Sequence, residues 1–95
     1  MIRLAVILWA ALALPAIATQ DGWPALHDVT GVSAGDALNI RERPDASSPI
    51  IGGLASDAEG VEVIRPNERL TWGLVNVGER TGWVSLLYLE RRPHQ

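Results

Sequence analysis

The chain has 95 residues, eight basic residues against eleven acidic ones, a formal net charge of −3 at pH 7, and no cysteine. This length supports one small domain. It has no disulfide to brace it and no basic surplus for binding a nucleic-acid backbone.

Residues 1–18 read as a secretory signal peptide. Met1-Ile2-Arg3 carries one positive charge, an apolar run follows from Leu4 to Leu14, Pro15 breaks it, and Ala16-Ile17-Ala18 supplies a small-x-small cleavage pattern. Cleavage is expected between Ala18 and Thr19. The alternative is a retained membrane anchor, but the run is shorter than the roughly 20 apolar residues a spanning helix needs.

Residues 19–28 are polar and punctuated by Gly22 and Trp23-Pro24, and they read as a flexible lead-in. A first short strand is expected over His27-Asp28-Val29-Thr30-Gly31-Val32. Residues 37–43 alternate: Leu38 and Ile40 share one face, and Asn39, Arg41 and Arg43 share the other, the pattern of a half-buried strand. Pro44-Asp45-Ala46-Ser47-Ser48-Pro49 is rich in turn formers and reads as a loop. Residues 50–55 and 60–64 read as two more strands, with Val61 and Val63 inward, and 65–70 as a polar loop.

A hairpin is expected next, with residues 72–77 and 80–85 joined by Gly78-Glu79. Glycine at the first central position suits a type II′ turn. That turn sets Val77 opposite Arg80, Val75 opposite Gly82 and Leu74 opposite Trp83. Gly73, Val75, Val77, Gly82 and Val84 then share one face. Leu86-Leu87-Tyr88 reads as a single helical turn before a last short strand at Leu89-Glu90, and residues 91–95 read as a tail. Five or six short strands with no helical periodicity predict an all-β, small antiparallel barrel spanning residues 29–90.

The run Leu38-Asn39-Ile40-Arg41-Glu42-Arg43-Pro44 is followed by Ile51-Gly52-Gly53-Leu54, a single Trp at 72, Gly82-Trp83-Val84 and Tyr88-Leu89. In this order and spacing, over about residues 37–90, the sequence resembles the bacterial SH3-like (SH3b) domain family. The resemblance implies an SH3-like barrel of five to six strands, with a long first loop at 41–49 and a short helical turn at 85–88. It also implies an exported setting, periplasmic or extracellular and often cell-wall-associated. In some members the domain targets a separate hydrolase to peptidoglycan. Trp72 and Tyr88 match aromatic groove positions of the related eukaryotic SH3 pattern. Arg41-Glu42-Arg43 replaces the paired tyrosines of that pattern, and Ser85 replaces its groove proline, so recognition of proline-rich helices is not implied.

The candidate ligand-binding residues are Trp72, Tyr88, Arg41, Arg43 and Trp83. Trp72 begins the hairpin beside a polar loop and offers a flat surface to a peptide or sugar, or else caps the core. Trp83 lies across from Leu74, a pairing that favours a structural role. Tyr88 can pack its ring and leave its hydroxyl wet. Arg41 and Arg43 face outward at the mouth of the 41–49 loop, where two guanidinium groups suit carboxylates of a peptide, unless they serve as ordinary surface charge. The expected groove lies between the 41–49 and 65–71 loops.

No cofactor or metal is implied: His27 and His94 sit far apart, the acidic residues are scattered, and no His is placed to activate Ser47 or Ser48. The reading is a non-catalytic exported module that binds cell-wall (peptidoglycan) peptide or a periplasmic protein, with no nucleic-acid partner and no membrane span after processing. The alternative is a structural or assembly protein acting through edge strands.

Overall fold

A computed structural model describes residues 22–93. The expected signal peptide and its Ala18–Thr19 cleavage site lie outside the described residues. Within them the chain is β-rich. Eight short strands run in the order β1 (Ala25–Val29), β2 (Ala37–Arg41), β3 (Ile50–Ala55), β4 (Val61–Val63), β5 (Arg65–Pro66), β6 (Trp72–Val77), β7 (Arg80–Ser85) and β8 (Leu89–Arg91). A single 3₁₀ turn, Leu86–Tyr88, separates the last two. All pairings are antiparallel, in a three-stranded sheet ordered β4-β1-β8 and a five-stranded sheet ordered β3-β2-β7-β6-β5.

The β6–β7 hairpin follows the predicted register at every pair, from Trp72 opposite Ser85 to Val77 opposite Arg80. Its turn forms because Gly78 takes a φ of +64°, a region that L side chains avoid, while Glu79 keeps an ordinary φ. Register decides which face is buried. Here it points Gly73, Val75, Gly82 and Val84 inward.

The core is small and mostly aliphatic. Val29, Leu38, Ile40, Val63, Val75 and Val84 form one buried cluster, with Trp23, Ile51, Leu54 and Leu86 packed around it. Two glycines are part of this packing. A Cβ on Gly82 would lie 2.5 Å from Ile40 Cγ2 and 2.9 Å from Ile51 Cδ1; one on Gly73 would lie 2.7 Å from Val63 Cγ1. The hairpin can therefore approach the core only because those positions carry no side chain.

The fold differs from the sequence expectation at its two ends and in its strand count. The first strand, expected over residues 27–32, instead spans Ala25–Val29: Ala25 and Leu26, expected in a flexible lead-in, belong to it, residues 30–32 do not, and it is the central strand of its sheet. Its polar residues are held in place: the buried His27 donates from Nδ1 to the Ala25 carbonyl and stacks on Trp23, and Asp28 accepts from Gly60 N–H and Arg92. The expected tail likewise begins inside the fold. Arg91 ends β8, hydrogen-bonds the Gly22 carbonyl and lies over the Trp23 ring. Arg65 and Pro66, expected in a loop, pair with Leu74 and Gly73; Pro66 tolerates this because β5 is an edge strand. The described residues hold eight strands where a barrel of five or six was expected, and β5 is the one that falls where no strand was expected.

Candidate functional site

β2 and β7 are neighbours in the five-stranded sheet, yet they pair at only one position, Arg41 opposite Trp83. Beyond that pair, toward Ser85, a groove of about 740 Å³ opens at the surface. One wall is Leu38, Asn39 and Arg41 of β2 with the tip residue Ala46; the other is Trp72, Ser85, Leu87 and Tyr88. Gly31, Val32, Ser33 and Asp36, from the turn before β2, close the end.

Each wall is held by identifiable bonds. Trp72 is fixed through Asn67. The Asn67 side-chain carbonyl accepts from the backbone N–H groups of Thr71 (2.8 Å) and Trp72 (2.9 Å), its amide donates to Thr71 Oγ1 (2.9 Å), and its own N–H donates to the Trp72 carbonyl (2.9 Å). Tyr88 is fixed by the 3₁₀ turn, which Ser85 caps by accepting from Leu87 N–H. Its carbonyl accepts from Thr30 N–H, and its ring passes over Gly31.

The 41–49 loop is braced from inside by Ser48, which is 1% exposed. Ser48 Oγ accepts from Arg43 N–H (2.8 Å), and the Ser48 carbonyl accepts from the Arg41 guanidinium (2.9 Å). At the loop tip, Asp45 Oδ1 accepts from both the N–H and the hydroxyl of Ser47. These bonds hold the Asp45 carboxyl below its ordinary range.

Three of the five candidate residues, Trp72, Tyr88 and Arg41, therefore meet in one groove. Arg43 and Trp83 do not line it. Arg43 is exposed and lies 3.5 Å from the Glu42 carboxylate. Trp83 is half-buried on the outer face of β7, between Arg41 and Leu74, with the Arg65 guanidinium 5.3 Å from its ring centre.

The groove also sits differently from the expected one. Its third wall is the turn before β2. The 65–71 loop instead borders a smaller cleft of about 400 Å³, lined by Leu70, Thr71, Trp72, Ser85, Leu86 and Leu87. No family model, curated protein or solved structure matches the chain.

Leu87 and Asp36 were absent from the sequence-derived candidates. Leu87 was legible in principle, since two adjacent leucines in one helical turn cannot both face the core; Leu86 packs inward and Leu87 is 79% exposed. Asp36 carried no signal, because its position depends on how the turn before β2 folds back.

Chemically the groove offers aromatic and aliphatic surface, one carboxylate (Asp36), one guanidinium (Arg41) and several neutral hydrogen-bonding groups. No histidine lines it. Among the described residues, no group of three or more His, Cys, Asp or Glu could hold a metal ion, and no helix is long and apolar enough to cross a membrane.

Proposed function

We propose that the protein is a non-catalytic exported binding module whose two sheets form an SH3-like barrel of the SH3b type, and that it recognises cell-wall peptide or a periplasmic protein in the groove between β2 and Trp72. The single observation that carries this reading is the convergence of Trp72, Tyr88 and Arg41 on one open groove. Two aromatic rings supply contact area at low entropic cost, and a guanidinium supplies orientation. The apolar leader of the sequence supports export, and the motif order from Leu38 to Tyr88 supports the SH3b assignment.

The test uses full-length wild type and Trp72→Ala against two probes, purified peptidoglycan sacculi and a displayed library of random peptides. Wild type should retain at least one probe, and folded Trp72→Ala should lose it. Retention by both proteins, or by neither, contradicts the groove reading.

One observation favours the assembly reading. β3 is the outer strand of its sheet, none of its six residues is charged, and Ile50 is 55% exposed. Unprotected edges of this kind pair with other strands.

A further inference from the structure

The two most exposed large apolar side chains among the described residues lie together. Leu70 (63% exposed) and Leu87 (79% exposed) border the smaller cleft, and that cleft shares Trp72, Ser85 and Leu87 with the main groove. The two depressions thus adjoin at these three residues, forming a track that is apolar at the Leu70 end. Such a rimmed apolar site marks an interaction surface.

At the other end stands Arg41. It is half-buried and donates to the Ser48 carbonyl, and no carboxylate lies within ion-pair distance of it among the described residues. Asp45 feels its charge, but the Asp45 Oδ1 atom is taken by Ser47. A partly desolvated guanidinium favours an incoming carboxylate. Between the two ends the track passes Ala37, Leu38 and Asn39 of β2, a stretch that pairs with β3 on one side and has no recorded β7 partner on the other. That edge suits the main chain of an extended peptide.

Building on the groove reading above, we propose that the occupant is an extended polypeptide rather than a glycan, with a large apolar side chain in the Leu70–Leu87 cleft and a carboxylate on Arg41. Arg41 and Trp72 flank β7 on opposite sides, at Trp83 and Ser85. Two strand spacings and a two-residue offset place their backbones ~12 Å apart, so the groove is long enough for several residues of an extended chain. The apolar anchor and the acidic residue of the ligand therefore occupy two separate, fixed positions along the chain. A glycan strand has no bulky aliphatic group to place between two leucines.

The probe is a displayed library of random twelve-residue peptides, selected on the full-length protein with sacculi measured in parallel. The expected outcome is enrichment of peptides pairing a large apolar residue with Asp or Glu at one fixed spacing. Their affinity should fall at least about tenfold for Leu70→Ser/Leu87→Ser, and Arg41→Gln should remove the acidic preference while leaving the apolar one. If sacculi bind in a Trp72-dependent way and no peptide is enriched, the polypeptide proposal is overturned and the groove reading survives. Enriched peptides without the pairing, or indifferent to the leucines in a variant whose far-ultraviolet circular dichroism is unchanged, also overturn it. Loss of Trp72 dependence for every probe removes both readings.

Discussion

Asn67 and Ser48 are the two polar residues on which the groove depends most directly. Asn67 holds the backbone on either side of Trp72, and its side chain makes three hydrogen bonds. Asn67→Ala should cost about 1 kcal/mol or more in urea denaturation and should weaken ligand binding further, because Trp72 loses its fixed entry. Ser48→Ala leaves the Arg43 N–H without its acceptor and should cost about 1–3 kcal/mol by the same measurement.

His27 sets a pH dependence. Burial, with the nearby Arg91 charge, holds its imidazole below the ordinary value of 6.5. The unfolded chain then binds a proton more readily than the folded one. The stability this group contributes is full above pH 6.5 and is lost as pH falls from there through the lowered folded value. Asp28 has the same sign at lower pH: Gly60 N–H and Arg92 hold its carboxyl below 3.8, so its contribution is lost as pH falls below that. Urea midpoints measured down the acid range should decline below about pH 6.5 in wild type, and His27→Gln should flatten the first part of that decline.

Among the elements, the β6–β7 hairpin was the most legible. Apolar alternation and a Gly-led two-residue turn specify both its register and its buried face, without help from the rest of the chain. β5 was the least legible, because Arg65 and Pro66 read as loop residues and become a strand only by pairing with Leu74 and Gly73 of β6. The groove falls between these cases. Trp72 and Tyr88 stand out as aromatics, but the turn before β2 forms a wall only through tertiary folding.

The hairpin also makes the clearest packing prediction. Gly82→Ala drives a methyl against Ile40 and Ile51 and toward the Arg41 carbonyl, so it should destabilise by about 1–3 kcal/mol. Gly78→Ala, by contrast, meets no neighbouring atom within 4 Å, and its cost is that of the positive φ alone. At the sheet edge, Ile50→Lys should leave both stability and groove binding unchanged. Loss of self-association in that variant, read by light scattering, would favour the assembly reading.

At the scale of the whole molecule, two sheets enclose a core built largely from valine, and ion pairs lie at the surface. A domain this small has little stability to spare. It nevertheless leaves Leu70, Leu87 and Tyr88 substantially exposed along one track beside a half-buried arginine. That exposure adds nothing to the core, and the proposed binding face accounts for it.

The measurement that tests this claim most directly is amide and indole chemical-shift mapping of the full-length protein by NMR. The two titrants are soluble muropeptides and a selected peptide carrying the apolar–acidic pair. The peptide should shift the Trp72 indole together with Asn39, Arg41, Leu87 and Tyr88, and leave β3 and β5 unmoved. Shifts confined to the β3 edge, or none at the Trp72 indole with either titrant, would contradict it.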